Sequence, residues 1–100
     1  MPTHIIADYE ITYEPNAEPA LLIYHVVRGY DALTLNQPAT DLLCALLAVQ
    51  QKRIREIGGY RAIFGSGGDV VFYTPAGQRA CYFNEAQSVL LARMLGVTTP

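Results

Sequence analysis

The sequence PATDLLCALLAVQQKRIREI, residues 38–57, followed by Gly58 and Gly59, decides the predicted fold. Its first half is rich in leucine and its second half is basic. Apolar residues recur at the spacing of one helix face, so the pattern predicts a long amphipathic helix that ends at Gly58. Asn36 or Thr40 suits the N-cap of this helix. The expected buried stripe consists of Leu43, Leu46, Leu47, Ile54 and Ile57.

Charge is divided unevenly along the chain. The first twenty residues contain four acids and no Lys or Arg, a formal charge of −4, whereas residues 52–61 contain four cations and one acid, a charge of +3. The whole chain carries a formal charge of −2. A small protein with separated charges of opposite sign is expected to contact a charged partner.

Length and composition predict a single small domain, residues 1–100, with more apolar surface than it can bury. The chain is 51% hydrophobic and 16% charged, against roughly 25% charged residues in an average globular domain. Part of the apolar surface is therefore expected in an interface with a protein partner or in a homodimer. No apolar stretch is long enough to span a membrane, and the N-terminus lacks the pattern of a secretory signal. We expect no membrane partner and a cytoplasmic location.

Strand patterns lie on both sides of the predicted helix. Residues 4–14 alternate apolar and polar side chains, residues 15–19 suit a hairpin turn, and residues 21–28 form a second predicted strand. His25, in this apolar strand, is expected to be a hydrogen-bonded sheet residue. Three shorter strands are predicted after the helix, over residues 60–64, 70–74 and 79–83.

A second helix is predicted at the end of the chain. Asn84 and Gln87 have the spacing of a capping box at its N-terminus, and Gly96 is expected to end it. The sequence shows no internal repeat. The predicted fold belongs to the α+β class, an antiparallel sheet in the order β-β-α-β-β-β-α with two helices packed on one face.

No catalytic or metal-binding motif is visible in the sequence. The two histidines, two serines and two cysteines stand in no recognisable nucleophile arrangement, and the His and Cys residues lack the paired spacing of zinc sites. The glycine-rich loop over residues 65–68 lacks the Lys and Ser/Thr of a phosphate-binding loop. We therefore expect no enzyme activity, no metal and no cofactor, with Cys44 and Cys81 as reduced thiols.

The first predicted hairpin offers a candidate partner interface. A symmetric turn centred on Ala17 would pair Tyr9 with His25 and Ile11 with Ile23. The opposite face would then present an apolar strip bordered by acids, which is typical of a protein contact surface. Alternatively, another element of the same chain covers the strip. The candidate interface residues are Asp8, Glu10, Leu22, Tyr24, Val26 and Arg28.

A second candidate surface is a basic patch at the end of the long helix. A later predicted hairpin adds one more cation to it. Three interpretations are open: the cations complement the helix dipole, contact an acidic protein surface, or contact nucleic-acid phosphates. The patch consists of Lys52, Arg53, Arg55, Arg61 and Arg79.

The stretch over residues 59–95 resembles part of a known protein class. The helix ending QQKRIREIGGY, the hairpin FYTPAGQRACYF and the segment NEAQSVLLARML are similar to the tail of phage regulatory proteins of the Rha and antirepressor type. Tyr73, Gly77, Arg79 and Tyr82 occupy comparable places. The resemblance implies a winged DNA-binding module, with the hairpin as the wing and the basic helix near the phosphates.

The features together predict a small non-catalytic regulatory protein that binds a protein partner and forms a homodimer. Small phage-encoded inhibitors of host systems, including anti-CRISPR proteins, are similar in size and in the plainness of their sequences, a likeness of type and not of sequence motif. The alternative is the winged DNA-binding transcriptional regulator or antirepressor that the resemblance implies. Salt-dependent affinity for duplex DNA would distinguish this alternative.

Overall fold

A computed structural model describes residues 3–49 and 51–97. The chain forms two units of the same design, each with four strands followed by one helix. The first unit contains β1 (Thr3–Ile6), β2 (Tyr9–Tyr13), β3 (Leu21–His25), β4 (Tyr30–Leu35) and α1 (Gln37–Leu47). The second unit contains β5 (Arg53–Ile57), β6 (Tyr60–Phe64), β7 (Val70–Tyr73), β8 (Arg79–Phe83) and α2 (Glu85–Met94). Each set of four strands pairs in sequence order as an antiparallel sheet.

The α+β class and the antiparallel pairing are confirmed, but the strands form two sheets and begin with an additional hairpin. The predicted strand over residues 4–14 is divided by a tight turn at Ala7 and Asp8, where Ala7 has a positive φ of 55°. Because of this turn, Ile6 and Ile11 face the core. Ile5 lies on the opposite face and is 72% exposed.

The prediction of one helix over residues 38–57 is wrong in its second half. Helix α1 ends at Leu47, and residues 53–57 form strand β5. Gly58 and Gly59 both have positive φ and form the two-residue turn that joins β5 to β6, so they end a strand rather than a helix. Leu43, Leu46 and Leu47 are buried as predicted, and Ile57 is buried as a strand residue, whereas Ile54 is 64% exposed.

Each helix has an asparagine as its N-cap. The Asn36 side chain accepts a hydrogen bond from the Ala39 N–H at 3.0 Å. Asn84 and Gln87 form the predicted capping box, with reciprocal hydrogen bonds of 2.9 Å. These caps satisfy N–H groups that the first turn of a helix leaves unpaired, and they set the residue at which each helix begins.

The second unit repeats the backbone plan of the first. In each sheet the second strand pairs with the third, and the third pairs with the fourth across a bulge. The bulges lie between Ile23 and Tyr24 and between Phe72 and Tyr73. Aligning the two sheets by this pairing makes Tyr24 equivalent to Tyr73 and Tyr9 equivalent to Tyr60. This internal repeat is structural, because few of the equivalent residues are identical.

The two units dock through reciprocal contacts. Strand β4 lies beside β8, α1 contacts α2, α1 contacts β5 of the second unit, and α2 contacts β1 of the first. Buried residues of both sheets and both helices form one hydrophobic core. Gly58 shows how close the units approach, because a Cβ atom there would lie 2.8 Å from Leu35 Cδ2 and 3.1 Å from Ala39 Cβ.

A pair of equivalent hydrogen bonds also joins the units. The Thr34 N–H donates to Tyr60 Oη at 3.3 Å, and the Tyr82 N–H donates to Tyr9 Oη at 3.4 Å. Each tyrosine lies on the second strand of its sheet, and each donor lies on the fourth strand of the other sheet. The hydroxyls therefore satisfy two backbone donors at the edges of β4 and β8.

We expect Tyr9→Phe and Tyr60→Phe each to lower the free energy of unfolding by about 0.5–1.5 kcal/mol, because each removes one hydrogen bond between the units. Urea denaturation followed by circular dichroism measures the loss. The control is Tyr73→Phe, whose hydroxyl makes no hydrogen bond within residues 3–49 and 51–97. Losses equal to that of the control would show that neither hydroxyl stabilises the contact between units.

Candidate protein-binding surface

The predicted register of the hairpin formed by β2 and β3 is confirmed. Tyr9 pairs with His25, and Ile11 pairs with Ile23. Ile11 and Ile23 are fully buried, so the alternate residues lie on the face away from the core. Of the predicted interface residues, Glu10, Leu22 and Tyr24 come together on this outer face, Glu10 exposed and the other two half-buried.

The other three predicted interface residues lie in turns at one end of the sheet. Strand β3 ends at His25, where a turn closed by the Gly29 N–H and the His25 carbonyl reverses the chain. The Val26 N–H donates to the Asp8 carbonyl at 2.9 Å. Asp8, Val26 and Arg28 are exposed there, beside the strip rather than on it.

The basic patch is divided between the two faces of the second sheet. Lys52 lies before β5, and Arg53 and Arg55 lie on β5 in register with Phe64 and Ala62, on the core side of that edge strand. The remaining predicted cations lie on the outer face, Arg61 on β6 and Arg79 on β8.

One of the three interpretations of the basic patch is wrong. The cations do not complement the dipole of a helix, because none of them lies on a helix. Within residues 37–47, α1 has no basic residue in its last turn. Lys52, Arg53 and Arg55 follow the end of α1 and belong to the segment that enters the second sheet. Their charges are therefore available for contacts outside the helix.

The outer face of the second sheet carries two rows of side chains, which we call together the basic face. Arg61 pairs with Tyr73, and Tyr73 pairs with Arg79, so the tyrosine lies between two arginines. Arg61 Nε lies 3.6 Å from Glu56 Oε1, but both side chains are well exposed. An ion pair of this kind contributes only about 0–1 kcal/mol. The residues of the basic face are Ile54, Glu56, Arg61, Ile63, Val71, Tyr73, Arg79 and Tyr82.

The second row of the basic face is wholly apolar. Ile54 pairs with Ile63, Ile63 with Val71, and Val71 with Tyr82. Ile54 and Tyr82 count among the exposed large hydrophobic residues, while Ile63 and Val71 are half-buried between neighbouring strands. An apolar row beside cations has the composition of a protein contact surface.

Sequence reasoning missed the apolar row of the basic face. The helical spacing of the leucines in α1 continues through Ile54 and Ile57, so the pattern predicts a helix where the structure has strand β5. One signal could have found it: Gly58 and Gly59 form a two-glycine turn that is followed by a second strand pattern.

The outer face of the first sheet occupies the equivalent position and differs in character. We call it the acidic face. Ile5 pairs with Glu10, Glu10 with Tyr24, and Tyr24 with Asp31. The side chains of Thr3 and Thr12 are joined by a hydrogen bond of 3.2 Å on the same face. The residues of the acidic face are Thr3, Ile5, Glu10, Thr12, Leu22, Tyr24, Asp31 and Thr34.

Two cavities in the described part of the chain differ in size and in exposure. One cavity, where the helices meet Phe64 and Gly65, has a volume of about 20 Å³, room for about one water molecule. A larger groove of about 520 Å³ lies open along the basic face, beside Arg61 and Tyr73. The larger space is thus part of an exposed sheet surface.

His25 is the sheet residue that its pattern predicts. Its ring stacks on Tyr30 with centroids 5.6 Å apart and meets Tyr9 edge-on at 5.2 Å. Its Nδ1 accepts a hydrogen bond from the Arg28 N–H at 3.3 Å. Tyr9 also packs against Phe83 of the second unit, and burial raises the pKa of its hydroxyl. The cluster holds the end of the hairpin against the second unit.

The two free thiols differ in accessibility. Cys81 is buried, and burial raises the pKa of its thiol. Cys44 is half-buried, and burial together with the nearby Asp41 carboxylate raises its pKa as well. Both environments disfavour the thiolate, which is the reactive form of cysteine.

We expect the folded protein at pH 8 to react with a thiol reagent first at Cys44. Cys81 reacts only when the fold opens, at least about a thousandfold more slowly than in the unfolded chain. Absorbance of thionitrobenzoate released from Ellman's reagent, with and without urea, measures both rates. A Cys44→Ser variant isolates the signal of Cys81. Rapid reaction of that variant without urea would contradict the buried position.

The described residues contain no metal-binding cluster: across 3–49 and 51–97, no group of three or more His, Cys, Asp or Glu side chains is placed to hold an ion. In the same part of the chain, no helix is long and apolar enough to cross a membrane. No family model, curated protein or solved structure matches this chain. The candidate functional surfaces are the outer faces of the two sheets.

Proposed function

We propose that this chain is a small regulatory protein that acts by binding a protein partner and not by catalysis. The observation that carries the proposal is the basic face, where an apolar row from Ile54 to Tyr82 lies beside Arg61 and Arg79. Single exposed apolar residues are ordinary on protein surfaces, but a contiguous row on one face indicates a contact site.

The composition of the basic face suits a protein partner. Aromatic residues and arginine are enriched where proteins bind each other, and the face provides Tyr73, Tyr82 and two arginines around its aliphatic residues. Burying one exposed isoleucine such as Ile54 in a partner contributes about 1.5–3 kcal/mol. The acidic face, with Glu10, Leu22 and Tyr24, is the second contact region of this proposal.

The partner class follows from size and chemistry. A chain of 100 residues, without a recognised nucleophile arrangement, resembles in type the small phage-encoded inhibitors that act by occupying a surface of a host protein. A host protein complex is accordingly the first class of partner to test. Homodimer formation belongs to the same proposal, because a second copy is also a protein partner.

A DNA-binding regulator is the second candidate, and one observation favours it. Arg61 and Arg79 lie on either side of Tyr73 on an exposed sheet. Cations that contact phosphates beside an aromatic ring that stacks on a base form a common nucleic-acid surface. The same surface would then bind a polyanion in a salt-dependent way.

Affinity capture with a face variant tests the proposal. Tagged protein is incubated with an extract of the source cell, with and without nuclease, and the bound proteins are identified. Ile54→Asp places a charge in the apolar row at a position that is 64% exposed, so the fold tolerates it. The matched control is Leu90→Asp, which changes an exposed apolar residue of α2 away from both faces.

We expect one set of proteins to bind the unchanged protein and the Leu90→Asp control after nuclease treatment, and to be lost with Ile54→Asp. Capture that disappears with nuclease would favour the DNA-binding regulator. Equal capture by all three proteins would contradict a role for the basic face. Thermal melting of each variant confirms that it is folded.

A further inference from the structure

We propose that the basic face of one molecule binds the acidic face of a second copy of this chain, so that molecules associate head-to-tail. The inference rests on the proposed function, because it names a partner for the same surface. Charge complementarity between the two faces carries it.

The complementary charges lie at equivalent positions of the two sheets. Glu10 and Arg61 both lie on the second strand of their sheet and pair with a tyrosine on the third strand. Asp31 and Arg79 both lie on the fourth strand and pair with the same tyrosines. Each acid of the acidic face thus has a cation at the matching position of the basic face.

Equal spacing follows from the shared backbone plan. Glu10 and Asp31 are separated by two strand intervals, from β2 to β4, and Arg61 and Arg79 are separated by the same two intervals, from β6 to β8. With neighbouring strands about 4.7–4.9 Å apart, each pair of charges spans about 10 Å. Two acids of one copy can therefore meet two cations of another at the same time.

The net charges of the faces favour this contact over the two symmetric ones. The acidic face carries Glu10 and Asp31 and no cation, whereas the basic face carries Arg61 and Arg79 against the single acid Glu56. Joining two acidic faces brings four carboxylates together, and joining two basic faces brings four arginines together. Only the contact between unlike faces joins two surfaces whose net charges are opposite.

Apolar residues on both faces add to the electrostatic attraction. Ile5 of the acidic face is 72% exposed and pairs with Glu10, and Leu22 lies in the neighbouring row. The apolar row of the basic face includes Ile54 and Tyr82. Head-to-tail contact leaves one free face at each end, so it builds chains, or rings where the rotation closes.

Purified protein and two charge-reversal variants test the inference. Sedimentation velocity is measured from micromolar to millimolar concentration at low salt. One variant carries Arg61→Glu with Arg79→Glu, which makes both faces acidic. The other carries Glu10→Arg with Asp31→Arg, which makes both faces basic. Circular dichroism confirms folding, and the neutral pairs Arg61→Gln with Arg79→Gln and Glu10→Gln with Asp31→Asn replace any reversal variant that does not fold.

We expect the unchanged protein to form species larger than a monomer as its concentration rises, with weaker association in high salt. Each reversal variant alone should associate at least about tenfold more weakly, because like charges then face each other. An equimolar mixture of the two should associate again, since each then offers the face that the other lacks. Each neutral pair alone should associate more weakly than the unchanged protein. An equimolar mixture of the two should form a dimer and nothing larger, because the acidic face of one and the basic face of the other are both intact.

Two results would overturn the head-to-tail contact. A protein that stays monomeric over the whole range has no such contact. Association of either reversal variant alone as strong as that of the unchanged protein shows that the copies do not associate through unlike faces. Either result leaves the proposed function open, because capture of other proteins and its loss with Ile54→Asp are measured separately. Capture that fails while the mixture assembles would instead limit the basic face to self-association.

Discussion

Phe72→Ala lowers the free energy of unfolding by about 3–5 kcal/mol. Phe72 is fully buried at the centre of the second sheet, where it pairs with Ala62 on one side and Cys81 on the other. Its two neighbours across the sheet are small, so removing the ring leaves a cavity that they cannot fill. Domains of this size have a total stability of about 5–15 kcal/mol, and the loss takes a large share of it.

Urea denaturation followed by circular dichroism measures this loss. The control is Tyr73→Ala, which removes an aromatic ring of similar size from the next residue, on the opposite face of the same strand. The two substitutions disturb strand propensity alike, so their difference reports burial. A difference below about 1 kcal/mol would mean that the second sheet does not enclose Phe72 as described.

Leu46→Ala has the second largest expected effect, a loss of about 2–5 kcal/mol. Leu46 lies on the buried face of α1 with only 6% of its surface exposed. The control is Leu42→Ala on the same helix, where the side chain is 40% exposed, and a loss below about 1 kcal/mol is expected. Both substitutions replace leucine by the best helix former, so helix propensity changes equally in the two variants.

Thermal and urea denaturation of the two leucine variants measure the orientation of α1 directly. Because α1 contacts both α2 and β5, loss of Leu46 weakens the docking of the units as well as the helix itself. Equal losses at Leu42 and Leu46, or a larger loss at Leu42, would show that the buried face of α1 is assigned wrongly.

Local patterns predicted those elements whose burial is decided within a hairpin or a cap. The register of Tyr9 with His25 follows from alternation and from one short turn, and both lie within a few residues. The capping box of Asn84 is likewise local. The apolar spacing of α1 placed Leu43 and Leu46 in the core without knowledge of what covers them.

Contacts between the units decided the elements that local patterns could not. Lys52 to Glu56 are composed mainly of good helix formers, so propensity alone continues α1. Pairing with β6 buries Ile57 beside the first unit, and this burial outweighs propensity. The turn at Ala7 was hidden because alanine rarely adopts a positive φ.

The same limit applied to the candidate site. Glu10, Leu22 and Tyr24 were predicted together because one hairpin holds them. The basic face draws on all four strands of the second sheet, and Arg61, Tyr73 and Arg79 become neighbours only through their pairing. A patch counted along the chain joined Arg55 to Arg61, although these residues lie on opposite faces.

The reciprocal docking of the units has a consequence for the two surfaces that the protein presents. Contacts of α1 with β5 and of α2 with β1 are those of a two-fold dimer, in which each partner offers the other the same surface. Such a dimer of a unit of about fifty residues would carry two identical outer faces, because one gene would encode both. Within one chain the two units have separate sequences, so their equivalent outer faces can carry different residues. Glu10 and Arg61, which lie on equivalent strands and have opposite charges, are such a difference.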